Sequence, residues 1–224
     1  VFTNAEVTAY CGRSRVFSET SEYISQGTDL YPDNLAKTIG WARIDQPETF
    51  FRKEVWDRIG FINESFHYVM DKEFWIRYLL NYNLSGIHKD EKILVNFRIH
   101  ENSKTGSQQE KFKQETIDLF YSLALDIDTQ IANTFTRIGA TKSKPLFGYD
   151  VTKKELIRNA ANYYIFYLFL EAYAQNDYKL AKSIFPFINQ DSLNKEDIVE
   201  LKKVMLRIKI LPISVKKFLN SMQR

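Results

Sequence analysis

The spacing of apolar residues changes near residue 105. Before that point short apolar and polar runs alternate, and beyond it apolar residues recur every three or four positions, which is the spacing of a helix face. This order predicts an α/β part followed by an all-α helical part, with helices dominating overall. In the helical part we expect a linker at 142–149 and helices at 108–127, 129–138, 152–175, 178–185 and 195–210.

The α/β part predicts several short elements. Glycine breaks and β-rich runs indicate strands at 6–11, 14–17, 49–51 and 93–97, with Gly12 interrupting the first pair. A short helix is expected at 31–37 and a second at 53–59, where Gly60 would end it. A longer helix is expected to begin at Asp71 and to end near Asn83, with an apolar face that includes Phe74 and Trp75.

The composition excludes several kinds of binding site and structural cross-link. The eight glycines are never closer than nine residues, so no GxGxxG turn, no GxxxxGK[ST] phosphate loop and no kinase glycine loop is present. A single cysteine, Cys11, cannot form an internal disulfide, and with only three histidines a structural zinc site is not expected. There is no signal-peptide pattern and no apolar run of about 20 residues, so we expect a cytoplasmic location.

Four polar and aromatic blocks follow one another in the first part. They are QPETFFRK at 46–53, WDRIGFINES at 56–65, MDKEFWIR at 70–77 and FRIHENSK at 97–104. In this order and spacing the blocks resemble the acceptor half of bacterial family-two glycosyltransferases, which have the GT-A fold. The resemblance covers about residues 1–105. It implies an enzyme of polysaccharide biosynthesis that transfers a sugar, with inversion, from a nucleotide-sugar to a hydroxyl of a glycan or a lipid-linked acceptor.

The resemblance implies a catalytic role for Asp71. The attacking hydroxyl must lose its proton as it bonds to the anomeric carbon, and Asp71 occupies the position of the general base. At a helix start, the helix dipole would favour its ionised form. The alternative interpretation is that Asp71 is only the N-cap residue of its helix, where aspartate is common.

The remaining candidate residues belong to the donor and acceptor sides. His100 would contact the donor diphosphate or a divalent metal, or else cap a strand end. Arg98 and Lys104 would pair with phosphate oxygens or lie in a solvated basic loop, and Ser103 offers a hydroxyl. Gln46 and Glu73 are assigned to the acceptor side. Trp75 and Trp41 would stack on a sugar or pack in the core.

Some features depart from the family pattern. Glu48 lies where a small residue is usual, and Asp71 follows Met70 rather than an acid. The nucleotide-binding half, with its Asp-x-Asp metal motif, is missing, and we interpret Asp126 and Asp128 as a coincidence in a helical context. We therefore expect a piece of a longer enzyme that is inactive alone. Mg²⁺ or Mn²⁺ is expected in the full-length enzyme and no cofactor in this piece.

These expectations divide the chain into the acceptor half at 1–105, connecting helices at 106–141 and a helical extension at 149–224. The last 24 residues contain seven basic residues and no acidic one, interleaved with apolar residues. Such a segment predicts either binding to an anionic membrane surface, on the inner face of the cytoplasmic membrane, or a terminal helix packed on the bundle. Nucleic acid is not an expected partner. The alternative function is a non-catalytic protein-interaction or membrane-surface module.

Overall fold

The computed structural model describes residues 5–41, 43–100, 108–150 and 152–210. The fold is mixed α/β and helix-dominated. The four strands are β1 (Ala9–Phe17), β2 (Glu22–Ile24), β3 (Thr49–Phe51) and β4 (Ile87–Arg98). The helices are α1 (Leu35–Trp41), α2 (Lys53–Ile59), α3 (Met70–Tyr82), α4 (Gln109–Leu125), α5 (Thr129–Ile138), α6 (Lys154–Ala174), α7 (Tyr178–Ile184) and α8 (Lys195–Ile210). Three-residue 3₁₀ turns lie at Gln46–Glu48, Phe185–Phe187 and Gln190–Ser192.

The four strands form one sheet centred on β1. β2 and β3 pair antiparallel with the two ends of β1, and β4 pairs parallel along its length. The predicted break at Gly12 is wrong, since β1 is continuous. Glycine is required there for another reason: a Cβ would lie 2.5 Å from the Leu94 side chain on β4. The register of β1 against β4 shifts beside this close approach.

The predicted helices are present with ends within two residues of the prediction, except that α1 lies at Leu35–Trp41 rather than at 31–37. Gly60 ends α2 as predicted, with φ of 84°, and its N–H donates to Trp56 O at 2.9 Å. α3 begins one residue earlier than predicted, and its N-cap is Val69, so Asp71 is not the capping residue. Asp128 caps α5 by accepting the N–H groups of Gln130 and Ile131, which gives it a structural role in its helical context.

The α/β part and the helical part share one hydrophobic core. The cluster extends from Ala9 on β1 to Ile208 on α8, and α1 packs along α6. The approach of these two helices is close, because a Cβ on Gly40 would lie 2.5 Å from Ala160 O. In the described residues no helix is both long and apolar enough to cross a membrane.

The segment predicted as a linker packs against the α/β part. Asn63 Nδ2 donates to Pro145 O at 2.9 Å, and Asn81 Nδ2 donates to Gly148 O at 2.8 Å. Gly148 has φ of 66°, and a Cβ there would lie 2.0 Å from Ile59 O. The segment at 142–149 therefore fastens the helical part to α2 and α3.

Candidate functional site

An open cavity of about 800 Å³ lies where the two parts meet. Its α/β wall comes from β1, β2, the segment before β3, the start of α3 and the end of β4. Its helical wall comes from Phe112 and Thr116 of α4 and Tyr167 of α6. The acidic and basic side chains that line it are Asp29, Arg43, Asp45, Glu48, Asp71 and Lys72. The helical part thus completes a cavity that the four sequence blocks place only in the α/β part.

Asp71 lines this cavity from the first turn of α3. Its Oδ1 accepts the N–H of Lys72 at 2.8 Å, and the carboxylate forms no ion pair with any described residue. Burial raises the pKa of Asp71, and the charge of Asp45 raises it further, against the Lys72 N–H and ammonium. The expected dipole effect therefore does not dominate. The result is a rigidly placed carboxylate that is a better base than an exposed aspartate.

The two cations of the cavity differ in their pairing. Arg43 Nη2 lies 3.0 Å from Asp45 Oδ2, so these charges offset each other. Lys72 forms no ion pair within the part of the chain that the structure describes. Burial lowers the pKa of Lys72, while Asp71 and Glu171 oppose the shift. The cavity is therefore lined by one lysine, next in sequence to the candidate base, that forms no ion pair with the described residues.

Glu48 is a buried carboxylate at the cavity wall. Its side chain accepts hydrogen bonds from the hydroxyls of Ser14 and Ser25, the latter at 2.8 Å. The Ser25 hydroxyl in turn accepts the Ser14 N–H at 2.9 Å. At 1 % exposure, Glu48 joins β1 to the segment before β3. Glu48, which lies where the family pattern has a small residue, thus has a structural role in holding these segments together.

Glu115 of α4 holds the backbone that leads into α3. It accepts the N–H groups of His67, Tyr68 and Val69, at 2.5–3.1 Å. It also pairs with the buried ammonium of Lys144. Burial acts to raise the pKa of Glu115, but the hydrogen bonds from Lys144 and from the Tyr68 and His67 N–H groups outweigh it and lower the pKa. The helical part therefore positions the turn that carries Asp71, through a contact absent from the sequence predictions.

The structure places Glu73 and Trp75 in the core, which departs from the acceptor-side assignment of Glu73 and is the core-packing alternative given for Trp75. Glu73 is 1 % exposed and makes a bidentate pair with Arg77, at 2.8 and 2.9 Å. Arg77 Nη2 continues to Phe61 O at 2.7 Å, which ties α3 to the end of α2. Trp75 is fully buried and stacks on Tyr78, with ring centroids 5.3 Å apart. Neither side chain lines the cavity, because both lie on the core face of α3.

Other predicted residues are distributed around the cavity. Gln46 and Trp41 line it, and Trp41 packs edge-on against Tyr31 and Tyr167. Arg98 and His100 are exposed and are not part of its wall, whereas their neighbours Phe97 and Ile99 are. Ser103 and Lys104 lie outside the described residues. The structure thus brings Asp71, Gln46 and Trp41 to one cavity and leaves Arg98 and His100 at its margin.

The described residues do not fit a divalent metal. No three histidine, cysteine, aspartate or glutamate side chains among them come together as ligands. Asp126, a member of the Asp-x-Asp pair in the helical part, bonds the Tyr149 hydroxyl. Asp128 is engaged by the α5 N-terminus and by Arg158 at 3.1 Å. We therefore derive no chemical step that passes through a metal.

Comparison with known proteins adds no relative. The chain matches no protein-family description, no curated protein and no solved structure.

Proposed function

We propose that this chain supplies the acceptor-binding side of an inverting glycosyltransferase, with Asp71 as the general base. The observation that carries the proposal is the state of Asp71: an unpaired carboxylate with a raised pKa, fixed at a helix start and open to a cavity. The order of the four sequence blocks supports the same assignment.

The aromatic wall supports a sugar as the ligand. Tyr68, Phe112, Tyr167 and Trp41 line the cavity together with Asp71. Aromatic faces pack against the apolar C–H faces of sugar rings, while carboxylates and amides bond their hydroxyls. Gln46 supplies an amide at the same wall. This combination of groups suits a neutral polyhydroxyl acceptor better than a flat apolar ligand.

The proposed step is a single displacement. An acceptor hydroxyl donates its hydrogen bond to Asp71 Oδ2, since Oδ1 already accepts the Lys72 N–H. As the hydroxyl oxygen bonds to the anomeric carbon, its proton passes to the carboxylate and the nucleoside diphosphate leaves from the opposite face of the sugar. The anomeric configuration is inverted. The raised pKa of Asp71 favours this proton transfer.

The test is sugar transfer by the complete gene product. A panel of nucleotide-sugars and glycan acceptors would be screened by mass spectrometry, and the linkage configuration read by NMR. Asp71→Asn is expected to lower turnover by about 10²–10⁴-fold, because the base is lost and the shape is kept. Acceptor binding by Asp71→Asn should stay within a few-fold of the original.

Asp29→Asn is the matched control, because Asp29 lines the same cavity and the substitution has the same shape and charge change. It should retain most of the turnover. Transfer that survives in Asp71→Asn, or equal losses in the two variants, contradicts the role of Asp71. A gene product that transfers no sugar from any donor would instead favour the non-catalytic module as the function of this chain.

A further inference from the structure

The last described helix, α8, is apolar on two opposite faces. Leu201, Val204 and Ile208 are buried against the core, at no more than 2 % exposure. Val199, Leu206 and Ile210 are 65 %, 58 % and 68 % exposed. Since an α-helix turns about 100° per residue, spacings of seven and four residues place these three side chains in one line, opposite the buried face. We call Val199, Leu206 and Ile210 the outer row.

Basic side chains flank the outer row. Lys202, Lys203 and Lys209 are exposed, and the helical spacing places Lys203 on one side of the row and the other two on the opposite side. Lys202 and Lys209 form no ion pair with the described residues, and Lys203 pairs with Glu200 at 3.0 Å. The chain continues for 14 residues, 211–224, with three more basic residues and no acidic one. On the side of Lys202 and Lys209 the outer row is therefore flanked by unpaired positive charge, while Glu196 and Glu200 accompany Lys203 on the other side.

We propose that the outer row of α8 docks onto the surface of an anionic lipid bilayer. Apolar side chains enter the boundary between headgroups and acyl chains while the lysines pair with anionic headgroups, which is how amphipathic helices lie on membranes. Lys202 and Lys209, which form no ion pair with the described residues, favour an anionic bilayer over a protein partner. Three side chains also form a narrow contact, whereas a stable protein interface buries about 800 Å² per partner.

The docking is independent of the glycosyltransferase proposal, since it uses no residue of the cavity. It also refines the sequence-based alternatives for 201–224. In α8, packing on the bundle and exposure of an apolar face are both present, on opposite sides of one helix. One face anchors the helix to the protein, and the other remains available to a surface.

The experiment is flotation of the 224-residue chain with vesicles of phosphatidylcholine, with and without phosphatidylglycerol. The original protein should float with the anionic vesicles and far less with the neutral ones. Val199→Ser, Leu206→Ser and Ile210→Ser combined should lower the vesicle partition coefficient by at least about tenfold, because the apolar insertion is lost. Lys202→Gln with Lys203→Gln and Lys209→Gln should reduce the preference for anionic lipid and its dependence on salt.

Phe61→Ser is the matched control, because Phe61 is 73 % exposed on the α/β part, and it should float as the original does. Circular dichroism and thermal melting show that each variant is folded. Equal flotation of the original and the triple serine variant overturns the proposal. So does loss of all binding on removal of 211–224 while the serine variant still binds. Self-association that the serine variant abolishes, without any vesicle binding, identifies a protein interface instead.

Discussion

Several carboxylates of the helical part differ from Asp71 of the cavity in the partners that they meet. In the helical part, four carboxylates each meet a cation or several donors. Glu115 meets Lys144, Asp128 meets Arg158, Asp197 meets Lys37 at 2.7 Å, and Asp118 bonds the Thr141 N–H at 2.8 Å. In the cavity, Asp45 pairs with Arg43 and Glu48 accepts two serine hydroxyls. Asp71 accepts the Lys72 N–H and forms no ion pair with a described residue. The helical carboxylates thus serve folding, and Asp71 does not.

The difference in partners indicates that the protein is locally less stable at Asp71 than at the carboxylates of the helical part. A carboxylate that is partly withdrawn from water without a partner disfavours its own ionised form. A stability-driven sequence would pair or replace such a group, and unpaired groups of this kind concentrate at functional sites. Glu115 shows that the same fold readily supplies a cation and three backbone donors to a carboxylate. The state of Asp71 is therefore not forced by the fold, which supports a functional role.

The largest expected stability effect comes from breaking the Glu115–Lys144 pair. Lys144→Met removes an ammonium whose side chain is 6 % exposed and leaves Glu115 buried without its counter-charge. Breaking a buried pair in this way costs about 3–5 kcal/mol. Urea denaturation at neutral pH would measure the loss.

Lys142→Met is the control for this prediction. Lys142 is exposed, two residues away in the same segment, and its replacement should change the free energy of unfolding by less than about 0.5 kcal/mol. Because Glu115 holds the backbone before α3, Lys144→Met should also reduce the proposed sugar transfer of the complete gene product under folded conditions. If the two variants have similar stability, the pair does not fasten the cavity wall as described.

A smaller loss is expected at the start of α5. Asp128→Ala removes the cap of that helix and the partner of Arg158. Loss of an aspartate cap costs about 1 kcal/mol, and the exposed ion pair adds little. Thermal melting should show this loss, while the proposed sugar transfer of the complete gene product stays unchanged because α5 does not line the cavity. A variant that melts normally but loses transfer would show that Asp128, and not Asp71 alone, takes part in the site.

Local signals in the sequence predicted most of the fold. Helix periodicity located α4 to α8, and Gly60 gave the end of α2. The predicted β4 is too short, because His88–Lys92 carries polar side chains that mostly face solvent. These residues pair with β1 through their backbone, and their sequence shows no alternation of apolar and polar residues that would indicate a strand. The break predicted at Gly12 in β1 is wrong. Glycine is needed there because the Leu94 side chain of β4 lies close to it, and not because the chain turns at this position.

The cavity was predictable only in part. Asp71, Gln46 and Trp41 were reached through local motifs, and they do line it. The four-residue spacing of Glu73 and Arg77 is itself a signal for a helix ion pair, and it could have corrected the assignment of Glu73. Glu115 had no such signal, since the backbone groups it holds are 46–48 residues away. Contacts of that length follow from the packing of α4 on the α/β part.

The smallest expected effect is a gain of stability in Asp71→Asn at neutral pH, with a pH dependence opposite to that of Glu115→Gln. The folded pKa of Asp71 is raised above its ordinary value of 3.8. The favourable contribution of Asp71 to the free energy of unfolding is therefore complete below pH 3.8 and is lost as the pH rises through the folded pKa. Asparagine resembles the neutral form of the aspartate. The free energy of unfolding of Asp71→Asn should therefore exceed that of the original protein by an amount that increases as the pH rises and then levels off.

Glu115 is expected to give the opposite pH dependence of stability. Its folded pKa is lowered below 4.5, so its contribution is present above that value and is lost as the pH falls through the folded pKa. Glu115→Gln should therefore be less stable than the original at neutral pH, and the difference should shrink in acid. Urea denaturation of both variants from pH 3 to 8 tests the contrast directly. If the two curves bend in the same direction, Asp71 is not held in an unfavourable ionised state, and the main physical reason to regard it as the base is removed.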